Sequence, residues 1–555
     1  MKFRVSNRVS QPMSGVSLTG GVFQRMFENN IGFLKGFDLD RILYWYRVHK
    51  GKKSPGVPYA FGDGHFENNL KGQTAGEFLM GACTSLLWKE DKALRDMADA
   101  IVDEIAQCKD DDGFLIPITR DEFKTREYPN YTRAWITFGL LDAGFAGNEK
   151  AFSLARGMSD WFNRSEVLPY VKDMNLGFQG ILACTRVYTS PIGKKEDIDT
   201  ALMYYKEDWW LDQLIKGDHR AIYEHPGNHP HSTLLTTLEG YHDIFRATGD
   251  PKYLTAVKSA LHMYEDKWQH VGGGISMCEN DRYFPGCNWL SPNHNYNELC
   301  STNFWVLLNQ RMHLLEPDNA HYMDEIESSL YNVLLASQVS DRGYHYLNFL
   351  EKHKDMRWLD RATCCASLGT RLAGLLPQFL YSYAEDEVYI NLYAQSEAAL
   401  ENGVKLSVHT DMPENGRVLV KIHNCDRPFT LYLRHPRWAC EDGKSFYIKK
   451  ENVRAGDIFE MEFPFIMKGV KYTGAEQIYG KERWALMRGP MLFACMGAPA
   501  PLTVTWDPEN PEMWFEPVKG KWDRLSLRGD EMHEYRAYAS IEDEPFSVYP
   551  VLLRP

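Results

Sequence analysis

Apolar residues recur at helical spacing along the chain as far as about Tyr383. From Lys92 to Cys108 they fall at Leu94, Met97, Ile101 and Ile105 with charged residues between them, the stripe of an amphipathic helix with one face in a core. A second segment, Ala75 to Leu87, precedes it across a short polar break. The pairing returns at Thr132 to Ala143 with Lys150 to Phe162, and at Ser232 to Ala247 with Pro251 to Trp268. Gly147-Asn148 and Thr248-Gly249-Asp250 supply the turns. About six such pairs fit between Asp38 and Tyr383, and helical hairpins in that number stack as an open solenoid or close into a ring. The chemistry-bearing motifs below lie in the breaks, which a ring gathers at one mouth. The reading is therefore an (α/α)6 helical barrel over 36–384.

After Glu385 the pattern changes. Val388 to Tyr393, Val404 to Val408, Val418 to Ile422 and Phe429 to Leu433 read as strands bounded by turn residues, and Trp484 to Arg488 as another. Closely spaced short strands point to a β-sandwich, placed at 385–500. The first 35 residues are read as an N-terminal segment that lends a strand to that sandwich. The stretch 501–555, rich in Trp, Pro and charge without a clear period, stays an unassigned C-terminal extension. The fold class is multidomain α+β, a helical barrel followed by β-sandwich.

Composition narrows the function. Aromatic residues make up 13% of the chain, leaving many ring faces for packing or for sugars. Lys and Arg total 62 against 75 Asp and Glu, a formal charge of −13 that repels phosphate backbones and anionic lipid headgroups, so neither nucleic acid nor membrane is expected as partner. No apolar window of membrane-spanning length occurs, and the basic first residues are followed by no apolar run of signal-peptide type. Eleven cysteines, an odd number, fit a reducing compartment in which thiols stay free or bind metal; the expected location is cytoplasmic.

Three motifs can carry chemistry. Glu298-Leu299-Cys300 is followed at a distance by the adjacent pair Cys364-Cys365, and three thiols with a carboxylate are a donor set that suits tetrahedral zinc. Adjacent cysteines chelate less well than a C-x-x-C turn, so spacing alone leaves two buried small hydrophobes as an equal reading, with a strained vicinal disulfide behind both. Glu279 ends a run that begins Val271-Gly272-Gly273-Gly274, where glycines let the backbone bend and present a carboxylate; a solvated loop glutamate is the plain alternative. His225, His229 and His231 lead into the apolar stripe from Ser232, and contacts to sugar hydroxyls or a structured helix entry fit their Pro-interrupted spacing better than chelation does.

Several stretches, in order, resemble glycoside hydrolase families 127 and 146, the β-L-arabinofuranosidases, from about residue 15 to 495. They are Gly36 to Leu43, Leu70 to Leu79, Gly273 to Glu279, Glu298 to Cys300, Ser329 to Gln338, Cys364-Cys365 and Arg488 to Pro490. The resemblance implies a zinc ion on Glu298, Cys300, Cys364 and Cys365, with Cys364 as nucleophile and Glu279 as general acid/base. It implies a retaining, exo-acting glycoside hydrolase that cleaves a terminal furanoside, β-L-arabinofuranose, from an oligosaccharide or glycoconjugate. Glu77, Trp135, His229, His231 and Tyr296 are the candidate sugar contacts. The chain departs from the family near the pocket. Where relatives typically carry histidines it has Glu77 and Arg133-Ala134-Trp135, and Ala366 to Gly369 also differs. Two alternatives stand beside the main reading: a glycosidase of different sugar specificity on the same scaffold, and a non-catalytic carbohydrate-binding or scaffold protein with a structural zinc. A sandwich beside a barrel serves dimerisation or walls the pocket, which keeps a homodimer as a candidate assembly.

Overall fold

Asp91, Asn148 and Asp250 each accept a hydrogen bond from the first helical turn that follows, and these caps fix where three apolar stripes begin. In the computed structural model the described residues are 2–59, 70–125, 128–171, 177–204, 210–223, 232–269, 271–275, 296–356, 359, 362–473 and 481–555. Their main helices are α1 (Gly21–Lys35), α2 (Gln73–Leu86), α3 (Lys92–Ala106), α4 (Tyr128–Phe145), α5 (Glu149–Arg164), α6 (Ala183–Thr189, entered through a π-helical stretch Gly177–Leu182), α7 (Lys195–Met203), α8 (Ser232–Thr248), α9 (Pro251–Lys267), α10 (Leu299–Leu315), α11 (His321–Ser329) and α12 (Cys364–Gly374).

Six of these segments form an inner ring. α2 packs on α4, α4 on the segment leading to α6, that segment on α8, α8 on α10, α10 on α12, and α12 returns to α2. Helices α3, α5, α7, α9 and α11 lie outside as the second member of each hairpin. The sixth outer position is filled by α1, which buries Val22, Phe23, Met26, Phe27, Ile31 and Leu34 and packs against α2, α3 and α12. Just before it, Val16–Leu18 pairs antiparallel with Ser396–Ala399, so the segment ahead of residue 36 contributes to both barrel and sandwich. No helix among the described residues is long and apolar enough to cross a membrane.

The inner ring is tight at one crossing and charged at one end. A Cβ added to Gly76 would stand 2.3 Å from the Trp135 carbonyl oxygen, so only glycine lets α2 and α4 approach this closely. In the halves of the inner helices remote from Cys300, Cys364 and Cys365, buried charges face one another. Arg371 donates to Asp142 at 2.9 Å, Arg311 pairs with Glu239 at 2.6 Å and with Asp243 at 3.4 Å, and Arg186 lies 3.8 Å from Asp142. Burial, with Arg371 and Arg311 nearby, pulls the Arg186 guanidinium down to about 9. These pairs close the far end of the barrel with opposite charges instead of apolar side chains.

Two packed sheets follow. One runs Val16–Leu18, Ser396–Ala399, Lys405–Thr410, Arg417–Asn424, Ile458–Glu462; the other Phe446–Val453, Phe429–His435, Glu387–Ile390, Tyr381–Tyr383. Buried Arg434 rivets the sandwich to the barrel by pairing with Asp324 at 2.5 Å and Glu327 at 2.7 Å of α11, and Trp438 donates to Glu327 at 2.7 Å. The C-terminal stretch, in which the sequence shows no period, forms short strands of a ten-stranded sheet with Glu482–Arg488 and Met491–Met496 near its centre. Phe546–Ser547 of that sheet also pairs with Glu351–Lys352, which ties it to a loop of the barrel.

The buried Arg371–Asp142 pair generates a stability prediction. Arg371→Leu leaves the buried Asp142 carboxylate with only the more distant Arg186 as partner and should lower the urea-unfolding free energy by about 3 kcal/mol. Lys92→Ala, which removes an exposed pair with Asp96, should leave the unfolding midpoint where it is.

Candidate active site

The inner helices that carry cysteine begin at the same mouth of the ring. A two-stranded ribbon, Tyr296–Glu298 with Leu347–Phe349, delivers Glu298 to the N-cap of α10, so that Cys300 lies in the first turn of that helix. Thr363 caps α12 by accepting from Ala366 N at 3.0 Å, which makes Cys364 and Cys365 its first two residues. Both sulfurs therefore belong to the first turn of α12.

The four groups converge. One ligand atom each from Glu298, Cys300, Cys364 and Cys365 lies within 4.8 Å of the others, and all four residues are buried. Cys300 Sγ is 3.3 Å from Cys365 Sγ, and Cys365 Sγ is 3.6 Å from Glu298 Oε1. Tetrahedral coordination with Zn–S near 2.3 Å puts neighbouring donors at roughly 3.7 Å, so the set needs little movement to hold one such ion. Burial and the neighbouring sulfurs push the Cys300 and Cys365 thiols well above the usual range. A cation at the centre reverses the sign of that effect, because it favours the deprotonated ligand. The arrangement suits a metal site far better than a packing role, since three apolar residues would fill the space without burying a carboxylate.

Around this centre the structure adds residues that the sequence alone did not single out. The Tyr346 hydroxyl lies 3.6 Å from Cys364 Sγ, one residue before the ribbon strand that pairs with Glu298. Ser301 Oγ lies 2.7 Å from both Glu298 O and Ile275 O, so its one hydroxyl hydrogen is shared between the ligand helix and the glycine loop. That loop threads a narrow gap. Gly273 has φ +100°, and a Cβ there would be 2.7 Å from Ser329 N, so both conformation and space demand glycine. Asn332 Nδ2 donates to Gly272 O at 3.0 Å and to Pro490 O at 2.9 Å, while its Oδ1 accepts from Leu492 N at 2.8 Å. One buried amide thus joins two of the stretches quoted above for the family resemblance, and the residue just before a third.

The candidate sugar contacts divide. Glu77 is buried in α2, where Gln73 Nε2 donates to its Oε1 at 2.9 Å and its Oε2 has no partner among the described residues. Burial first, and proximity to Cys364 second, hold this carboxyl well above the usual range. Trp135 is buried in α4 beside Gly76, edge-on to Tyr131 with ring centres 5.8 Å apart. Arg133 is turned toward the outer layer, its guanidinium 3.6 Å from the centre of the Phe162 ring in α5 and bonded to Asn130. Glu279, His229, His231 and the side chain of Tyr296 lie outside the described residues.

Comparisons with known proteins agree with this architecture. A family profile described as beta-L-arabinofuranosidase, GH127 catalytic domain, matches residues 15–377, and one for the GH127 middle domain matches 387–455. Among solved structures, one described as a GH127 beta-arabinofuranosidase is similar with TM-score 0.76 and 20% identity, over 99% of this chain and 100% of its own. Ara127N, a GH127 beta-L-arabinofuranosidase from Geobacillus stearothermophilus T6, gives 0.74 at 16% identity, over 97% and 100%. A chain described as a glycoside hydrolase gives 0.70 at 16%, over 100% and 98%. At these identities the structural likeness carries the fold, a helical barrel followed by strand-rich domains. No curated protein matches the sequence.

Asn332 provides a direct check on how the glycine loop is held. Asn332→Ala leaves two buried carbonyls and one amide unpaired and should cost about 2–4 kcal/mol of stability. Amide exchange at Val271 to Ile275 should quicken with it; unchanged protection there would mean that other contacts hold the loop.

Proposed function

The chain belongs to the GH127 β-L-arabinofuranosidase family and is therefore a glycoside hydrolase, and from that premise we propose that it releases a terminal β-L-arabinofuranosyl unit with retention of configuration. The observation that carries the reading is the convergence of Cys364 with Glu298, Cys300 and Cys365 at the mouth of the barrel. The sulfur-rich donor set favours zinc among common divalent ions. Glu298, Cys300, Cys364 and Cys365 would hold the ion, whose positive charge would favour the thiolate form of Cys364 at neutral pH.

Each residue then has a task. Cys364 Sγ attacks the anomeric carbon, and its bond to that carbon forms as the glycosidic C–O bond breaks. Glu279, four residues along the chain from Ile275, gives its proton to the departing oxygen. Water then attacks the same carbon while Glu279 takes a proton back, the C–S bond breaks, and two inversions leave the configuration retained. The Tyr346 hydroxyl at 3.6 Å can donate to the Cys364 sulfur and steady it between the two steps. His229, His231 and Tyr296 are proposed to bind the sugar's hydroxyl groups. The nine described cysteines are all free, which supports a reducing compartment, and we place the reaction in the cytoplasm on short oligosaccharides or glycoconjugate fragments.

One observation favours a second reading, a glycosidase of altered sugar specificity. Glu77 stands where the family resemblance implies a histidine, and its burial shifts the carboxyl toward the protonated form. A neutral acid donates one hydrogen bond through a hydroxyl and accepts through its carbonyl, whereas an imidazole offers one nitrogen of each kind at a different spacing. A sugar with its hydroxyl groups differently placed would suit that change.

The main reading makes two measurable claims. Purified protein should carry one zinc per chain, and Cys300→Ser should lose the metal together with several degrees of melting temperature. Glu279→Gln should lower kcat/KM on an alkyl β-L-arabinofuranoside by about 10²–10⁴-fold with zinc content unchanged. Full metal loading without hydrolysis of any furanoside would leave the altered-specificity reading standing in its place.

A further inference from the structure

A second concave site lies away from the cysteines, where α1 meets the C-terminal sheet. It is a cleft of about 550 Å³, within the range of roughly 300–1,000 Å³ that small-ligand sites occupy. None of its lining residues belongs to the candidate active site. One wall is Trp522, carried in the turn between strands Phe515–Pro517 and Arg524–Leu527. That turn is braced by main-chain hydrogen bonds from Val518 N to Arg524 O, Lys521 N to Val518 O and Ala537 N to Asp523 O, at 3.1, 3.0 and 2.7 Å. Part of the indole packs on the core and part faces the cleft.

The opposite wall is polar. Gln24, Arg25 and Asn29 project from α1, and Gln338 reaches in from the barrel. Gln338 is fixed by donating to Met26 O at 3.0 Å and to the Tyr344 hydroxyl at 2.9 Å, and Asn29 donates to its Oε1 at 3.4 Å. Lys89 and Glu28 neutralise each other at 2.6 Å. Gln24, Arg25 and the Trp522 indole nitrogen have no hydrogen-bond partner among the described residues.

We infer that this cleft is a secondary carbohydrate-binding site that takes a short neutral oligosaccharide against Trp522. A sugar ring has an apolar C–H face that covers an indole and a rim of hydroxyls, each both donor and acceptor. Planar amides and a guanidinium in a fixed cleft match that rim. Charged partners fit less well, because Arg25 alone is left unpaired and the chain as a whole is acidic. Such a site would keep the enzyme on a glycan that carries its terminal units without altering the chemistry. The inference rests on the chain being a glycoside hydrolase, not on which sugar it cleaves.

The test is saturation-transfer NMR of the full-length enzyme with tetrasaccharides derived from arabinan, galactan and xylan. At least one should bind the wild type at millimolar concentration and bind Trp522→Ala about tenfold more weakly, as loss of one aromatic contact implies. Trp522→Phe, which keeps a ring, should retain binding. Arg25→Ala, a change at an exposed residue that spares the fold, should weaken it. Turnover of an aryl β-L-arabinofuranoside should be the same in all four proteins. Titrations that superimpose for wild type, Trp522→Ala and Arg25→Ala, or the absence of binding by every tetrasaccharide, would overturn the proposal. Binding is read independently of hydrolysis, so an error in the assigned substrate would not mimic either result.

Discussion

Three thiols and a carboxylate held within 4.8 Å of one another inside a protein repel as anions and satisfy few hydrogen bonds as acids. The rest of the barrel is arranged around that crowding. The ribbon from Tyr296 fixes Glu298, the Thr363 cap fixes the adjacent cysteines, and the helix ends that present them are set by closure of the inner ring. Closure depends on contacts with little slack: a glycine at the α2–α4 crossing, and at the far end a group of buried arginines and acids that must be matched one for one. A barrel that opened at either place would separate Cys300 on α10 from Cys365 on α12.

The strand-rich part takes part in the same geometry. Arg434 and Trp438 lock the sandwich to α11, whose C-terminal end confines the glycine loop, and Asn332 just beyond α11 bonds that loop to Pro490 and Leu492 of the large sheet. The glycine loop through Gly272 to Ile275 is therefore gripped from the barrel and from the C-terminal sheet at once. This explains physically why residues far apart in the chain, Asn332 and the Arg488 to Pro490 turn, carry the family resemblance alongside the cysteines: the glycine loop beside the cysteine cluster is held by both domains.

Much of this was legible in the chain because it is written in local patterns. The stripe through Leu94, Ile101 and Ile105 and the strands near Val404, Val418 and Phe429 follow from hydrophobic period and turn residues. The donor set Glu298, Cys300, Cys364 and Cys365 is legible because thiols are uncommon and their chemistry is narrow. The roles of Ser301, Tyr346, Thr363 and Asn332 were not, since serine, tyrosine, threonine and asparagine are ordinary residues until folding gives them partners; only the family-like run around Asn332 hinted at one of them. The outer-layer place of α1 is a matter of topology, which no stripe reports. The tail from 501 escaped because its strands are short, as at Thr503–Thr505, include proline at Pro517, and pair with distant segments such as Val551–Leu553.

The central claim is that Cys364 becomes covalently bonded to the sugar. The most direct measurement is peptide mass spectrometry of Glu279→Ala quenched during reaction with an aryl β-L-arabinofuranoside, whose good leaving group allows the first step while loss of the base slows the second. The account predicts that the peptide holding Cys364 gains the mass of one pentosyl unit, and that the adduct disappears when azide is added. Product formed with inversion and no adduct at Cys364, or an adduct on a different residue, would contradict it.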